Sequence, residues 1–202
     1  SSKIASDYHI PYRFVALDNG NFLKNIDKLT EISEGTNLYT GGIHTDFAFS
    51  KIDEDFNIIH SGQIGGEVMG GSYYESPFPC KPRFSRIVIN QQFVKHIEES
   101  TNQTFQNYER EDLFLLRNWG FNKTVLGSQT SADLAIMTSP FMQKEFLNLI
   151  YSIPHHWKYN YQFYFEWFEK YCPEMKNYIW EKTFLKPDHF WKIKYGTKYI
   201  KP

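Results

Sequence analysis

Apolar residues in the first sixty positions predict two strands and one longer helix. The run YRFVAL, at residues 12–17, is followed by Asp-Asn-Gly and predicts a strand. The run FNIIH, at residues 56–60, predicts a second strand, which a glycine-rich turn follows. Between these runs we expect a helix that ends near Gly35, because its apolar residues recur at helical spacing. These residues are Phe22, Ile26, Leu29 and Ile32.

The later part of the chain predicts mostly helices, at residues 91–101, 107–121, 139–154 and 159–172. The clearest is SPFMQKEFLNLIYSIP, at residues 139–154. We expect Ser139 to cap this helix, Pro140 to occupy its first turn and Pro154 to end it. Its predicted apolar face consists of Met142, Phe146, Leu149, Ile150 and Ile153.

This order of elements predicts an α/β fold, with a small parallel sheet edge followed by a largely helical carboxyl-terminal half. The length of 202 residues favours a single domain over residues 1–202. The chain opens within a predicted helix, so we expect it to be cut from a longer protein. A sheet that is covered on one side only would pair with another copy, so we expect a homo-oligomer.

The composition narrows the possible partners of the chain. Lys and Arg number 22 against 23 Asp and Glu, with no basic stripe, so the sequence does not favour a nucleic-acid binder. No apolar run approaches the length of a membrane span. The two cysteines, Cys80 and Cys172, lack zinc-ligand spacing and predict free thiols in the cytoplasm.

The strongest local signal is the glycine-rich segment at residues 61–71, SGQIGGEVMGG. Five glycines in eleven residues let the backbone approach a ligand closely. The segment therefore predicts a nucleotide-facing turn with Glu67 beside it, although a tight structural turn explains the same glycines. It is neither a Walker loop nor a dinucleotide-binding fingerprint, because the spacing differs from both.

Two motifs in this order resemble those of the asparagine-synthase family. In that family a strand leads into a motif of the form S-G-x-G-x-D-E-x-x-G-G-Y, followed later by V-R-x-P-F-L-D before a helix. Residues 137–143, MTSPFMQ, resemble the second motif, and Lys182 is similar in placement to a lysine of the family. The resemblance extends loosely from residue 1 to about residue 187. The residues that match the first motif are Ser61, Gly62, Glu67, Gly70 and Gly71.

The resemblance implies an adenine nucleotide alpha-hydrolase-like fold and an ATP-dependent amide-forming reaction. A carboxylate attacks the α-phosphate of ATP, and an amine then displaces AMP from the acyl-adenylate. ATP and magnesium would be the cofactors of the full-length protein, which could also carry a glutaminase domain. The catalytic candidates are Glu67 and Lys182, and the nucleotide-binding candidates are Ser61, Gly62, Gly65 and Gly66; no metal ligand is assigned.

The departures from the family are equally informative. The phosphate-gripping loop of the form S-G-G-x-D-S is missing from the sequence, so we expect it upstream and expect the piece alone to be inactive. The acid that helps to hold magnesium is replaced by Gly66, and a family carboxylate is replaced by Gln63. Thr138 and Gln143 stand where the family has arginine and aspartate.

Two alternatives therefore stay open. The chain could be a family relative that has lost the reaction and binds a nucleotide or metabolite, or scaffolds a partner. It could also be an unrelated α/β domain.

Other conspicuous residues are interpreted as structural. The pair His44 and Asp46 is interpreted as a turn device, and four aromatic residues are interpreted as core: Tyr161, Tyr164, Phe165 and Phe168.

Overall fold

A computed structural model describes residues 1–35, 39–52, 56–71, 73–83, 90–131, 134–192 and 194–195. The chain divides into two compact units, each built from two stretches of sequence. Ser1–Ser61 and Lys123–Ser139 form the sheet unit, and Gly62–Asn122 and Pro140–Pro202 form the helical unit.

The sheet unit is built around two short parallel strands. Strand β1 (Ile58–His60) pairs with β2 (Ile136–Thr138), with Ile59 opposite Met137. The backbone amide of Ser61 donates to the carbonyl of Thr138 at 2.8 Å and continues the pairing by one residue. The remaining elements are helices α1 (Ser2–Asp7), α2 (Ile26–Ile32) and α3 (Tyr39–Phe49), and 3₁₀ segments at Asp18–Asn25 and Val125–Ser131.

Of the two predicted strands, the one at residues 56–60 is confirmed as β1, and the one at residues 12–17 is wrong. The latter segment has no regular structure, and Phe14 is 75% exposed. A strand needs a neighbour for its backbone groups, and residues 12–17 pair with none of the described strands. The predicted stop at Gly35 is confirmed, because α2 ends at Ile32 and the amide of Gly35, with φ 69°, donates to the carbonyl of Thr30 at 2.9 Å.

Helix α3 buries the core of the sheet unit and was not expected from the sequence. Ile43 is 1% exposed, and Leu29 of α2 is 5% exposed. Asp46 is also buried and accepts a 3.0 Å hydrogen bond from the amide of Asn25. Two adjacent glycines, at positions 41 and 42, lower the intrinsic helix propensity, so burial rather than propensity stabilises α3.

The helical unit contains the predicted helices of the later sequence. The helix predicted at residues 91–101 is observed as a 3₁₀ turn (Gln91–Phe93) followed by α5 (Val94–Gln106). The helix predicted at residues 107–121 is observed as α6 (Glu111–Leu115) followed by a π-helical segment (Leu116–Thr124). Residues 159–172 form a 3₁₀ turn (Tyr159–Tyr161) and α9 (Gln162–Tyr171). Also present are α4 (Gly65–Val68), α7 (Lys144–Ser152), α8 (His155–Lys158), and 3₁₀ segments at Pro140–Met142 and Pro173–Asn177.

The clearest predicted helix begins later than the sequence suggests. Pro140 lies in a 3₁₀ turn, and α7 starts at Lys144 after an extended Gln143, so Ser139 is not its cap. Ile150 of the predicted apolar face is 2% exposed, whereas Leu149 is 63% exposed. The later start of α7 leaves only part of the predicted stripe turned inwards.

The fold is mixed α/β and mostly helical, with one two-stranded parallel sheet among the described residues. The nucleotide-hydrolase-like topology and the single domain stay predictions. In the described part of the chain, no helix has both the length and the apolar character needed to cross a bilayer.

Candidate functional site

The glycine-rich segment forms a bend at the start of the helical unit. Ile64 adopts a left-handed conformation (φ 69°, ψ −21°) directly before α4. Its backbone carbonyl accepts a 3.0 Å hydrogen bond from the amide of Val68. Both residues are buried, with 1% and 0% of their surface exposed, and anchor the bend in the core. A β-branched residue is strained at positive φ, so the surrounding core must impose this conformation.

Three of the five glycines make room for neighbouring protein. A β-carbon on Gly70 would collide with the backbone carbonyl of Lys158, and Gly70 also has φ 139°. A β-carbon on Gly71 would collide with the backbone carbonyl of Gly66. A β-carbon on Gly65 would lie 2.6 Å from the ring of Phe141. These glycines have a packing role, which is the structural explanation left open by the sequence.

The other two glycines, Gly62 and Gly66, face open space. No atom of the structure lies within 4 Å of the β-carbon position at either residue. Their small size is therefore not required by packing, which is the property expected of a backbone that receives a ligand.

The bend lines two open cavities of the helical unit. The first, here called the acidic cavity, has a volume of about 470 Å³ and is lined by Glu67, Glu75 and the segment of residues 159–161. The second, here called the aromatic cavity, has a volume of about 380 Å³. Gly66, Tyr161 and Lys182 line both cavities. The apolar lining of the aromatic cavity is Met69, Phe141, Tyr161, Tyr164 and Trp180.

Lys182 provides a positive charge to the wall that the two cavities share, which also contains Gly66 and Tyr161. Its Nζ donates a 2.8 Å hydrogen bond to the hydroxyl of Tyr161 and lies 4.4 Å from the centre of that ring. It also lies 5.9 Å from the ring of Trp180. Within the described part of the chain, the ammonium of Lys182 forms no ion pair with a carboxylate. It is thus available to an anionic ligand.

A tight turn holds Lys182 in place. The amide of Trp180 donates to the carbonyl of Leu185 at 2.9 Å, and the amide of Phe184 donates to the carbonyl of Trp180 at 2.8 Å. Thr183, next to Lys182, is 1% exposed. The turn is therefore closed by backbone hydrogen bonds and anchored in the core, while Lys182 itself is exposed.

Tyr161 owes its position to two consecutive residues with positive φ. Asn160 has φ 55° and Tyr161 has φ 62°, immediately before α9. The Tyr161 hydroxyl lies beside Gly71, where a β-carbon would be 3.1 Å from it. The ring of Tyr161 meets that of Trp180 edge to face, with centres 5.3 Å apart. Strained backbone of this kind is concentrated at functional sites.

Glu67 supplies a carboxylate to the acidic cavity from α4. Its side chain is half-buried, and its charge reaches Tyr73. Burial, and then the Glu67 carboxylate, raise the pKa of Tyr73 well above its ordinary value. The hydroxyl of Tyr73 therefore stays protonated even at alkaline pH.

A buried polar cluster lies beside the acidic cavity. Asp112 is 1% exposed and accepts two hydrogen bonds from Arg110, at 2.6 and 3.1 Å. The Nδ1 of His155 lies 3.8 Å from Asp112, and its Nε2 lies 3.1 Å from the carbonyl of Ser76. Burial lowers the pKa of His155, so this histidine is neutral at pH 7.

Lys158 is fully buried in the same cluster. Its Nζ donates a 3.0 Å hydrogen bond to the carbonyl of Ile150 and lies 4.7 and 4.9 Å from the rings of Tyr74 and Tyr151. Burial lowers its pKa to about 8, although the nearby Asp112 carboxylate acts in the opposite direction. Through its backbone, Lys158 also meets Gly70, so the cluster is continuous with the bend.

Five of the six predicted site residues line the cavities of the helical unit, and the sixth, Ser61, belongs to the sheet unit. Glu67, Lys182 and Gly66 line the acidic cavity together, and Gly62 and Gly65 line the aromatic cavity. Ser61 is the last residue of the first stretch of the sheet unit, where its amide pairs with Thr138.

Two sequence expectations need correction. Of the four aromatic residues read as core, only Phe165 is buried; Tyr161 and Tyr164 line a cavity. His44 and Asp46 do not form a turn device, because both lie in α3, where His44 is exposed and Asp46 is buried against Asn25.

Lys158 was missed from the sequence because nothing in HHWK distinguishes a buried lysine from a solvated one. Its neighbours His156 and Trp157 are exposed, so the local sequence carries no signal for the burial of Lys158.

Among the residues that the structure describes, no three His, Cys, Asp or Glu side chains are grouped as a metal site would require. Gly66 contributes no oxygen ligand at the position where the similar motif has an acid.

No known protein family, curated protein or solved structure matches this chain.

Proposed function

We propose that the chain carries the acyl-transfer part of an ATP-dependent amide-forming site of the asparagine-synthase type, with a nucleotide-hydrolase-like fold. The observation that carries the proposal is that Glu67 and Lys182, distant in sequence, line the same cavity as the glycine bend. The sequence alone predicts both as catalytic candidates. The proposed substrates are a carboxylic acid, ATP and an amine.

The backbone of the bend supports the resemblance at a position that the residue types do not match. The similar motif has glycine at its fourth position, where this chain has Ile64. Ile64 nevertheless has φ 69°, the left-handed conformation that favours glycine. A glycine, as the similar motif has, would adopt the conformation of Ile64 without strain.

The chemistry assigned to the chain uses two side chains. In the first step a carboxylate oxygen attacks the α-phosphorus of ATP, the bond to the bridging oxygen breaks, and pyrophosphate leaves. Lys182 then lies beside the acyl phosphate and stabilises its negative charge. In the second step an amine attacks the acyl carbon, AMP leaves, and Glu67 accepts the proton that the nitrogen releases.

The charges of the acidic cavity suit the amine better than the phosphates. Glu67 and Glu75 line it, and Glu75 lies 3.8 Å from Arg83. Carboxylates attract an ammonium group and repel a polyphosphate. We therefore assign the amine to the acidic cavity and the acyl phosphate to the wall that bears Lys182. Among the described residues no three His, Cys, Asp or Glu side chains are grouped, so no metal ligand is assigned to the chain.

A second candidate is binding without chemistry, and Gly66 favours it. An acid at this position would have free space, yet the chain has glycine. Loss of a metal-binding acid without any packing reason is expected where the reaction has been lost. The ligand would then be an adenine nucleotide or a related metabolite.

Pyrophosphate exchange into ATP tests the reaction, in the 202-residue chain and in any longer natural polypeptide that contains it. With a panel of carboxylic acids, we expect acid-dependent exchange in a polypeptide that also contains the phosphate loop. Lys182→Met should lower the exchange about 100-fold, because a charge-stabilising group is lost. Lys170→Met is the matched control, since Lys170 also lies over an aromatic ring, at 5.3 Å from Tyr171, but lines neither cavity.

Exchange measured together with a titration of AMP binding separates the two candidates. Binding of AMP without exchange for any acid in the panel would favour the second candidate. A folded polypeptide that neither binds AMP nor catalyses exchange would contradict both.

A further inference from the structure

The aromatic cavity is chemically distinct from its neighbour. Its wall is formed by the side chains of Phe141, Tyr164 and Trp180 in addition to Tyr161, and each of these rings is only partly buried. A cavity of about 380 Å³ lies within the range of about 300–1,000 Å³ that is usual for small-molecule sites. Aromatic rings left partly open around a cavity offer their faces and edges to another flat ring.

Two charged side chains line this cavity, together with the backbone of three glycines and two tyrosine residues. Lys182 and Glu181 are neighbours in the turn that follows Trp180, and both are exposed. Burial raises the pKa of Tyr164, so its hydroxyl stays neutral. Four aromatic rings line the cavity beside these charges, and a flat apolar ring that carries one charged group matches this lining.

Of the two charged side chains that line the cavity, Lys182 is the one that lies over its aromatic rings. Its ammonium lies on the rings of Tyr161 and Trp180 and forms no ion pair among the described residues. A carboxylate on the ligand would therefore meet a cation that is already oriented, while the ring of the ligand packs against Trp180 and Tyr164.

We propose that the aromatic cavity binds an aryl carboxylic acid, with its ring against Trp180 and Tyr164 and its carboxylate against Lys182. The binding follows from the cavity alone, and only the statement that this acid is the one adenylated rests on the proposed function. The acidic cavity across the shared wall would then receive the amine.

The experiment measures dissociation constants of the 202-residue chain by ligand-observed NMR titration. Phenylacetate is the probe. Cyclohexylacetate has a similar size without the aromatic ring, phenylacetamide lacks the charge, and glucuronate is a sugar acid. We expect phenylacetate to bind about fivefold or more tightly than each of the other three, because each lacks one of the two recognised features.

Two variants separate the contributions. Trp180→Leu should remove the preference for phenylacetate over cyclohexylacetate, and Lys182→Met should remove the preference for phenylacetate over phenylacetamide. Lys182→Arg should restore the second preference. Trp191→Leu and Lys170→Met are the matched controls and should change neither, since these residues line neither cavity. Circular dichroism checks that each variant is folded; if Trp180→Leu is not, Tyr164→Leu replaces it.

Several outcomes would overturn the inference. These are no detectable phenylacetate binding to the folded chain, preferences that survive both variants, or tighter binding of glucuronate. Binding of phenylacetate without acid-dependent exchange would contradict the proposed function only. Exchange that proceeds solely with acids lacking an aryl ring would contradict the inference only.

Discussion

The backbone carbonyl of Lys158 occupies the space that a β-carbon on Gly70 would need. This contact joins the glycine bend to the buried polar cluster and to the residues that lead into Tyr161. Gly70 also has φ 139°, a conformation that side chains rarely adopt. The bend is therefore positioned by backbone packing on one side and is open to a cavity on the other.

Substitution of the glycines should separate these two sides. Gly70→Ala should lower the free energy of unfolding by about 3 kcal/mol or more, because strain and a backbone collision add. Gly66→Ala should be neutral or stabilise by up to about 1 kcal/mol, since it lies in α4 with open space around it. Urea unfolding followed by circular dichroism measures both. Equal losses in the two variants would contradict the distinction.

The buried ammonium of Lys158 should make stability depend on pH. Its folded-state pKa of about 8 lies below the ordinary value of 10.5, so between these values the unfolded chain binds more protons than the folded one. Stability contributed by Lys158 therefore rises as pH increases through this window, by up to about 1.4 kcal/mol per pH unit. Below pH 8 both states are protonated and the contribution is constant.

The difference between the wild-type chain and Lys158→Met isolates this effect. The raised pKa values of Tyr73, Tyr74 and Tyr151 act in the opposite direction above pH 10, but they are common to both chains. The free energies of unfolding, measured in urea between pH 7 and 10, should diverge in favour of the wild type above pH 8. A difference that stays constant over this range would show that Lys158 titrates normally.

The pair of Asp112 and Arg110 should be required for the helical unit. Asp112→Asn leaves a partly buried guanidinium without its carboxylate and should destabilise by about 2–4 kcal/mol. Arg110 is 31% exposed in its side chain, which keeps the expected loss below that of a fully buried pair. Glu109→Gln is the control, since its pair with Lys81 lies in solvent, with 79% and 73% of the side chains exposed. The control should not change the unfolding midpoint, and a comparable shift in both variants would argue against a special role of the buried pair.

Ile64 should show an inverted order of substitutions. Ile64→Ala and Ile64→Gly both remove a buried side chain and leave a cavity. Glycine normally destabilises regular structure relative to alanine, but here it removes a strain of about 1–2 kcal/mol that any β-carbon suffers at positive φ. Ile64→Gly should therefore be the more stable of the two by up to about 1 kcal/mol. A less stable glycine variant would indicate that the left-handed conformation is not imposed.

The sequence predicted helices and strands better where the local pattern of apolar residues determines the element than where a partner distant in the chain determines it. The runs at residues 12–17 and 56–60 are both largely apolar, yet among the described residues only the second has a parallel neighbour. In that pairing Ile58 lies opposite Ile136, which is 78 positions later in the chain. Helix periodicity located α5, α7 and α9 to within several residues. Helix α3 was missed because its glycines argue against a helix that burial nevertheless stabilises.

The candidate site was predictable in part for the same reason. Glycine content and motif resemblance selected Glu67 and Lys182, but could not distinguish Gly70, which packs against backbone, from Gly66, which faces a cavity. Tyr161 and Phe165 have the same periodicity on α9 and its preceding turn, and only the three-dimensional neighbours decide which of them is buried.

The proposed function requires that the glycine bend and Lys182 contact the same ligand. Two-dimensional amide NMR of the ¹⁵N-labelled 202-residue chain, titrated with AMP, tests it most directly. The amides of Gly62, Gly66 and Lys182 should shift together with one dissociation constant, and Lys182→Met should weaken binding whereas Lys170→Met should not. Shifts confined to residues away from both cavities, or no shifts at all in a folded chain, would contradict it.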